Sequence, residues 1–462
     1  MTRVPNPDAR PVALTVAGSD SGGGAGIQAD LKTVEALGVF GTSVLTAATA
    51  QHTRGVDSVH HLPEEEVVAQ YEAVVSDFDV GAAKTGMLGT ASLVETVTEQ
   101  VATLDAPLVV DPVIVATSGD RLLDEAGEAA YRDLFDHATL VTPNVDEAEV
   151  LTGRPVETPA DAETAGEELR EQGADAALVT GGHLDTADDE IVDVLVTEEG
   201  VHHFAHERID TTSTHGSGCT LSSAVAAHLA RGRPLERAVE SSVAFAERAV
   251  RYPLAVGQGT SPVHHLAGLR DDAAREPTAE TVHDVVRELV DANPRRLVPE
   301  VGTNVVGATP YAESVGDTAA VEGRVTKTVD GVAPNRGVRF GASSHVARFL
   351  LAAREHDPAL RFAVNCRYDD EVEAALDALD GPVASYDRRE EPASVKEEEG
   401  STMGWGAEVA FEQAGGTPAA VVDYGGHGKE PMVKFLAHDA ETLVARVESV
   451  LGALVDERGG EQ

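Results

Sequence analysis

The chain has 462 residues, a length that suits two or three domains better than a single core. Its 79 Asp and Glu against 35 Lys and Arg give a formal net charge of -44, and such a surface repels nucleic acid and anionic membrane, so neither is expected as a partner. Two cysteines are too few for a disulfide framework or a thiolate metal site. No stretch has the apolar length of a signal peptide or a membrane span. Since lysine is scarce, we expect a soluble, cytoplasmic protein from a salt-rich (halophilic) cytosol rather than an ordinary acidic protein.

The first predicted elements surround a glycine-rich loop. Val12–Ala17 is an apolar run typical of a buried strand, residues 18–26 form the loop, and Ile27–Leu37 has helical spacing. The loop partly matches the dinucleotide-binding fingerprint, but the second predicted strand ends without the acidic residue that holds a ribose in such sites. We therefore favour a loop that brings backbone close to a small ligand, with Asp30 facing the same pocket.

Gln51 comes directly after the second predicted strand. A side-chain amide donates and accepts hydrogen bonds in one plane, which suits the ring-nitrogen and amino edge of an aminopyrimidine. The alternative is a solvated loop glutamine, which is the commoner role of an isolated Gln.

Further apolar runs alternate with helical patterns, which predicts a parallel sheet flanked by helices, with ligands at the carboxyl ends of the strands. Lys84, Asp111, Asn144 and Glu147 fall at such ends. An Asn and a Glu three residues apart suit a hydrated Mg²⁺, although a single pair of this kind is more often a helix cap. The chain has no Walker A lysine motif, so any nucleotide chemistry here is not of the P-loop type.

The stretch Thr211–Ser223 predicts an anion-binding site. Gly216 and Gly218 lie where a helix rich in Ala, Ser and Leu is expected to begin, and a helix start presents free backbone N–H groups with the positive end of the dipole behind them. Such a place suits a phosphoryl group during its transfer. Cys219 follows in the first turn, where the dipole is expected to lower the pKa of its thiol and favour a thiolate. The alternative is a buried structural cysteine.

Eight motifs in this order resemble hydroxymethylpyrimidine and hydroxymethylpyrimidine-phosphate kinase of the ribokinase-like family: GSDSGGGAGIQADLKT, TAATAQHTRGV, KTGML, VVDPV, TPNVDEAE, GGH, THGSGCTLSSA and GQGTSPVHH. The resemblance covers about residues 11 to 266 and implies an α/β fold, a three-layer αβα domain with a mainly parallel sheet. It also implies ATP as phosphate donor and Mg²⁺ as cofactor. A pyridoxal-type kinase is the alternative that this fold permits.

The resemblance also implies residue roles. The residues assigned to the pyrimidine and its pocket are Gln51, Asp30, Gly18 and Met87. Those assigned to the anion hole are Gly216, Ser217 and Gly218, with Cys219 where sugar kinases of the superfamily carry an aspartate base. Those assigned to the ATP phosphates and to Mg²⁺, mostly through water, are Asp111, Asn144 and Glu147. One departure is Thr180, where many relatives carry a lysine before the GGH motif.

The second part of the chain concentrates its cations beside glycines. We expect a linker at 269–279 and then an amphipathic helix over Thr278–Ala292. In a chain this acidic, cations next to glycine-rich turns indicate a site for an anionic ligand. The residues concerned are Arg324, Arg336, Arg339, His345, Lys429, Gly425, Gly426 and Gly428.

These motifs resemble the archaeal type of thiamine-phosphate synthase: PEVGTNVVGA, VEGRV, RFGASSHVARFLL, NCRYD, MGWG and GGHGKEP. The resemblance implies that Arg324 and His345 are catalytic and that Arg339, Lys429 and Gly428 bind phosphate. It divides the chain into a kinase domain at 1–268 and a synthase domain at 280–462, a separate α/β domain. Together the two domains imply a bifunctional enzyme of thiamine synthesis that acts on small molecules: the aminopyrimidine alcohol and its phosphates, thiazole phosphate and ATP. A second domain that only senses thiamine phosphate is the alternative, and a homo-oligomer is left open.

Overall fold

The structure is a computed structural model that describes residues 9–114, 123, 125–182, 184, 186, 190–392, 395, 402–426 and 429–459. The chain divides into two units, Met1–Gly268 and Leu269–Gln462. Among the helices that the structure describes, none combines the length and the apolar character needed to cross a membrane.

The first unit is built on an eight-stranded sheet with the strand order β10-β9-β8-β7-β6-β5-β1-β2. All neighbouring strands run parallel except that β9 is antiparallel to both β8 and β10. A separate hairpin, β3–β4, follows β2. The strands are β1 (Val12–Ala17), β2 (Phe40–Leu45), β3 (Ala47–His52), β4 (Gly55–His61), β5 (Val80–Thr85), β6 (Leu108–Val110), β7 (Leu140–Val141), β8 (Ala177–Val179), β9 (Glu190–Val196) and β10 (Val201–Glu207).

Helices cover both faces of this sheet, because consecutive strand residues point to opposite sides. Ala83 and Val110 pack in one apolar cluster with residues of α2, α3 and α4, whereas Ala82 and Val109 pack in another with α7 and α8. The three-layer αβα fold with a mainly parallel sheet is thus confirmed. The helices are α1 (Gly26–Ala36), α2 (Glu64–Val75), α3 (Ala91–Val101), α4 (Glu125–Phe135), α5 (Val145–Thr152), α6 (Pro159–Glu171), α7 (Ser217–Ala230) and α8 (Leu235–Arg251).

The second unit has its own seven-stranded sheet, with the order β15-β12-β11-β16-β19-β18-β17. Its neighbours are antiparallel except for β17 and β18, which run parallel. Its strands are β11 (Val305–Ala308), β12 (Thr318–Val321), β15 (Val338–Phe340), β16 (Phe362–Arg367), β17 (Val383–Tyr386), β18 (Ala420–Asp423) and β19 (Met432–Ala437), and a separate pair is β13 (Val325–Lys327) and β14 (Val332–Pro334).

Helices lie on both faces of this second sheet as well. One apolar cluster joins the sheet to α9, α11 and α13, and another joins its opposite face to α10 and α12. A separate second α/β domain is therefore confirmed, although its sheet is mainly antiparallel. The helices are α9 (Ala267–Ala292), α10 (His345–His356), α11 (Asp370–Ala375), α12 (Thr402–Ala414) and α13 (Ala440–Gly459).

The expected start of a new helix at Thr278 is wrong. The helix α9 begins at Ala267 and runs through the predicted linker, with Pro277 inside it. Polar residues in its first half are used within the second unit: Asp271 accepts a hydrogen bond from the backbone of Tyr311, and Arg275 pairs with Asp317. A charged segment that reads as a flexible connection is here a packed helix.

Candidate active sites

The predicted anion hole lies at the start of α7. Gly216 precedes the helix with a φ of 84°, and a Cβ there would lie 1.9 Å from the carbonyl oxygen of Gly24, so only glycine fits. This contact places the helix start against the glycine-rich loop. A Cβ on Gly218 would meet nothing within 4 Å, so the first turn faces open space. The predicted helix start is confirmed, and the geometry leaves room for an anion.

Asp20 holds the glycine-rich loop in shape. Its carboxylate is 1% exposed and accepts backbone hydrogen bonds from Gly22 at 2.7 Å and from Gly24 and Ala25 at 2.8 Å. His215, next to the anion hole, lies 3.0 Å from the same carboxylate. Burial alone would raise the pKa of Asp20, but these hydrogen bonds outweigh burial and lower it. One ionised carboxylate thus ties the loop to the segment before α7.

Cys219 does not have the lowered pKa that its place in the first turn of α7 predicts. Burial and the nearby carboxylates of Asp30 and Asp111 raise the pKa of the thiol to about 12, against the opposing effects of Lys84 and of a hydrogen bond from the backbone of Gly26. The expected resting thiolate is therefore wrong: at neutral pH Cys219 is a thiol, since desolvation of a thiolate costs more here than the dipole and one cation return.

Asp30 lies inside the protein rather than at an open pocket. It is 0% exposed, and its carboxylate accepts hydrogen bonds from Thr15 at 2.6 Å, Ser223 at 2.7 Å and Lys84 at 3.0 Å. The cavity beside it measures about 10 Å³, which is room for about one water molecule and not for a pyrimidine. The geometry thus differs from the substrate contact that the resemblance implies for Asp30, and it makes this carboxylate the partner of a buried lysine.

Lys84 links this interior to the carboxyl ends of the strands. Lys84 is 1% exposed, and its ammonium group lies 3.7 Å from Asp111, whose carboxylate also accepts a hydrogen bond from Ser222 at 2.9 Å. Burial would lower the pKa of Lys84, but the charges of Asp30 and Asp111 raise it, so Lys84 stays charged. The anion hole lies at the start of α7, the helix that also carries Ser222.

Asn144 and Glu147 form a helix cap at the start of α5, the alternative that the sequence left open. The Asn144 side chain accepts from the Glu147 backbone at 2.9 Å, and the Glu147 carboxylate accepts from the Asn144 backbone at 3.0 Å and from Ile114 at 3.3 Å. Burial and the charge of Asp111 raise the pKa of Glu147 to about 8. Tyr131 is 0% exposed, and its hydroxyl has no hydrogen-bond partner among the described residues.

The other residues predicted for the pyrimidine pocket meet around the glycine-rich loop. The Gly18 backbone donates to the Met87 carbonyl at 3.0 Å, and a Cβ on Gly18 would lie 2.3 Å from the Met87 side chain. Gln51 is half-buried on β3, and Ser21 of the loop both accepts from its backbone N–H and donates to its carbonyl. The Gln51 amide oxygen lies 3.4 Å from the Thr49 hydroxyl. Three of the four predicted pocket residues therefore come together.

In the second unit, His345 begins α10, and four cations lie close enough to act on its charge. Partial burial and the positive charges of Lys429, Arg348, Arg388 and Arg324 lower the pKa of His345. The structure thus gathers three of the residues predicted for this site. The Arg324 side chain itself is exposed and donates to the carbonyl of Val301 at 2.8 Å.

The other residues predicted to bind phosphate in the second unit have partners of their own or lie outside the described residues. Arg339 and Arg336 both pair with Glu322, at 3.0 and 3.1 Å. Lys429 closes a turn by donating its backbone N–H to Gly426 at 2.9 Å. Gly428 lies outside the described residues, as does His183 of the GGH motif of the first unit.

Comparison with known proteins matches both units. The model of the phosphomethylpyrimidine kinase family matches residues 20–264, and that of thiamine-phosphate synthase ThiN matches residues 281–449. The hydroxymethylpyrimidine/phosphomethylpyrimidine kinase of Streptomyces coelicolor is 49% identical over 266 residues, 57% of this chain and 98% of the relative. The bifunctional thiamine biosynthesis protein ThiDN of Methanocaldococcus jannaschii is 31% identical over 443 residues, 95% of this chain and 98% of the relative.

The chain belongs to the family of bifunctional thiamine biosynthesis proteins. It joins a phosphomethylpyrimidine kinase unit, Met1–Gly268, to a thiamine-phosphate synthase unit, Leu269–Gln462. Solved structures share the kinase fold: the ADP complex of Bacillus subtilis pyridoxal kinase has a TM-score of 0.53 at 34% identity and covers 56% of this chain and 98% of its own. The pyridoxal kinase of Staphylococcus aureus with AMP-PCP and pyridoxal has a TM-score of 0.52 at 33% identity and covers 57% of this chain and 96% of its own.

Three site residues escaped the sequence analysis. Asp20 lies inside a glycine-rich loop that was read for its backbone alone, although an Asp two residues before a glycine run is a common loop acceptor. Arg348 is one helical turn after His345, a spacing that a helix wheel shows. Arg388 stands in the charged run DRREE and reads as solvated surface, so only the fold reveals it.

Proposed function

We propose that the kinase unit transfers the γ-phosphoryl group of ATP first to 4-amino-5-hydroxymethyl-2-methylpyrimidine and then to the resulting monophosphate. The observation that carries this proposal is the contact between the glycine-rich loop and the start of α7, held by Asp20, His215 and the close approach of Gly216 to Gly24. This contact joins the loop that holds Gln51 to the open start of α7. The half-buried Gln51 amide would then bind the pyrimidine ring, and the helix start would bind the phosphoryl group.

The transfer itself needs little more than positioning and charge stabilisation. The acceptor oxygen forms a bond to the γ-phosphorus, the bond to the bridging oxygen breaks, and ADP leaves. The backbone N–H groups at Gly216 and Gly218 would stabilise the charge that collects on the transferred group, whereas the N–H of Ser217, also assigned to the anion hole, donates to the Thr214 carbonyl at 3.1 Å. Cys219 would accept the hydroxyl proton in the first transfer only, since the second acceptor is a phosphate oxygen that carries no proton to remove.

The donor set also fits a magnesium ion. Asp111 and Glu147 are buried carboxylates, and burial together with the charge of Asp111 raises the pKa of Glu147; a divalent cation would relieve this repulsion. Asp111, Asn144 and Glu147 would hold Mg²⁺ through its waters, and the ion would supply charge neutralisation for the ATP phosphates. Lys84, kept charged by Asp30, would position Asp111 and supply a cation that Thr180 does not.

For the synthase unit, we propose coupling of the pyrimidine diphosphate to thiazole phosphate. The thiazole nitrogen forms a bond to the pyrimidine methylene carbon, the carbon–oxygen bond breaks, and pyrophosphate leaves with the bonding electrons. Four cations around His345 support this role, because they suit a leaving group that gathers negative charge. Arg324 and His345 are the proposed catalytic pair, with Lys429 as a phosphate contact. We further propose that the protein works in a salt-rich cytoplasm.

The test is a two-stage assay on the full chain. With the aminopyrimidine alcohol, ATP and Mg²⁺ we expect the monophosphate and then the diphosphate by ³¹P NMR, and on addition of thiazole phosphate we expect thiamine phosphate and pyrophosphate. Because the kinase unit shares its fold with pyridoxal kinases, pyridoxal is the second substrate to assay. Phosphorylation of pyridoxal alone would overturn the pyrimidine proposal.

A separate variant tests the second unit. His345→Ala should abolish thiamine phosphate formation and leave both phosphorylations unchanged, because His345 belongs to the synthase unit. The matched control is His356→Ala at the other end of α10, which should leave coupling intact. Unchanged coupling in His345→Ala would show that His345 is not catalytic, whereas binding of thiamine phosphate without turnover by the wild type would favour a sensor instead.

A further inference from the structure

Asp423 is the centre of a buried polar cluster in the synthase unit. It ends β18, is 3% exposed, and accepts five hydrogen bonds. Arg388 donates two, at 2.9 Å from Nε and 2.7 Å from Nη2; the Tyr386 hydroxyl donates at 2.7 Å, the Lys434 ammonium at 3.0 Å and the Gly425 backbone at 3.0 Å. The Lys434 ammonium also donates to the Tyr386 hydroxyl at 2.9 Å.

Such a cluster is a costly way to stabilise a fold. Lys434 is 3% exposed and its ammonium lies 4.6 Å from the ring centroid of Phe349, so the charged group is almost completely desolvated. Desolvation of a buried ion pair offsets much of its attraction, and apolar residues of the same volume often stabilise a core as well or better. The cluster therefore calls for an explanation other than stability, and its geometry supplies one.

Two of the groups that donate to Asp423, the Arg388 side chain and the Gly425 backbone, belong to the cationic site around His345. Arg388 is one of the cations that act on His345. Gly425 begins the turn that carries Lys429: its φ is 74°, and a Cβ on it would lie 2.5 Å from the Lys429 carbonyl oxygen. One carboxylate thus fixes both the arginine and the turn with the lysine.

The bidentate pair also fixes the direction of the guanidinium. Nε and Nη2 of Arg388 are both used on Asp423, and because the guanidinium is planar, its remaining nitrogen Nη1 has one orientation. The Arg388 side chain is 12% exposed, so part of it reaches solvent, and its stem packs 3.7 Å from the position of a Cβ on Gly426. An arginine in this state is a preorganised hydrogen-bond donor for a phosphate group, and it lies beside a glycine turn.

We propose that Arg388 is a diphosphate-binding residue of the synthase site and that Asp423 is the residue that positions it together with the Lys429 turn. The inference rests on the proposed coupling reaction, in which the carbon–oxygen bond breaks and pyrophosphate leaves with the electron pair. Arg388 would bind the diphosphate of the pyrimidine substrate and stabilise the charge on the departing pyrophosphate. Lys434 and Tyr386 would hold Asp423 from the core side.

The chain carries its own reporter for this cluster. Trp405 is its one tryptophan, and its ring meets the ring of Tyr386 edge-on at a centroid distance of 5.9 Å. Since Tyr386 donates to Asp423, the negative charge of a diphosphate bound to Arg388 should change the electrostatic environment of this pair and with it the fluorescence of Trp405. Titration with pyrophosphate measures binding in this way without any turnover, on the full chain.

The decisive variant is Arg388→Gln, with Arg389→Gln as its matched control. Arg389 is the next residue, loses the same charge, and pairs with Asp387 at a side-chain exposure of 83%. We expect Arg388→Gln to raise the dissociation constant of pyrophosphate and the KM of the pyrimidine diphosphate by about tenfold or more, the effect of one charge-assisted bidentate contact. The KM of thiazole phosphate, both kinase steps and Arg389→Gln should stay near wild type.

Asp423→Asn tests the positioning role. It keeps an acceptor for Gly425 but removes the charge that holds Arg388, so pyrophosphate affinity should fall although no phosphate contact is deleted. Should Asp423→Asn fail to fold, Arg388→Lys answers the same question, because it keeps the cation and loses the bidentate clamp; we expect it to bind pyrophosphate more weakly than wild type. Unchanged pyrophosphate affinity in Arg388→Gln, or an equal loss in Arg389→Gln, overturns the proposal. Pyrophosphate binding that depends on Arg388 in a protein that forms no thiamine phosphate would instead refute only the coupling reaction.

Discussion

At the scale of single residues, the environment of Cys219 raises the pKa of its thiol, although its place in the first turn of a helix predicts a lowered pKa. Burial and two carboxylates raise the pKa of the thiol to about 12, against the opposing effects of Lys84 and of a hydrogen bond from the Gly26 backbone. A base of this strength is almost wholly protonated at neutral pH, so only a small fraction of the protein holds the thiolate. If Cys219 takes the hydroxyl proton, that fraction limits the first phosphorylation.

This gives a prediction for the pH dependence of the two kinase steps. Well below a pKa of about 12 the thiolate fraction rises tenfold per pH unit, so the rate of the first transfer should rise between pH 7 and pH 9. The second transfer, onto a phosphate, should rise less. Cys219→Ser should slow the first transfer more than the second and remove its pH slope, as measured by rapid-quench assays of each step. Equal slowing of both steps would show that Cys219 is not a base.

At the scale of elements, the contacts that matter most join distant parts of the chain. Val12–Ala17 was predicted with its observed bounds, and the start of α7 was predicted too, because strand and helix signals are local. The partner of Asp30 could not be predicted in this way, because Lys84 is 54 residues further along the chain and the pair meets only after the sheet forms.

The link between Asp20 and His215 shows the same limit. Its two residues are 195 positions apart, and no pattern in either segment points to the other. In the synthase unit, likewise, Arg388 and Asp423 are 35 residues apart. Local signals thus placed the loops and helix starts that carry the sites, whereas the side chains that hold them in place required the tertiary structure.

We therefore expect that a substitution of Asp20 weakens the link between the glycine-rich loop and the start of α7. Asp20→Asn leaves at least one of the three backbone donors unpaired and removes the negative charge that His215 faces, so we expect a loss of about 2 kcal/mol in unfolding free energy, measured by urea denaturation. The KM for the pyrimidine should also rise. Asp57→Asn is the matched control, since Asp57 also faces a histidine, His52 at 3.6 Å, but with its side chain 73% exposed. An equal effect of the two variants would contradict the role of Asp20.

At the scale of the whole molecule, the net charge of -44 dominates. A chain with 79 acidic and 35 basic side chains repels itself, and the repulsion favours the unfolded state, in which the charges are further apart. Within the described residues many arginines are already paired with acids, such as Arg154 with Glu168 and Arg237 with Glu240, so the excess acids have few cations left to meet. Dissolved salt has to supply the compensation.

We therefore expect salt to stabilise the protein strongly, and most steeply at low concentration. The Debye length falls from about 10 Å at 0.1 M to about 3 Å at 1 M, so most of the screening is complete by then. Between these concentrations of KCl the unfolding midpoint should rise by about 10 °C, the shift that roughly 3 kcal/mol produces in units of this size. Calorimetry measures it, and equal concentrations of sucrose, which carries no charge, are the control. A rise that begins only above 1 M would indicate ion binding or exclusion rather than relief of self-repulsion, because screening no longer changes in that range.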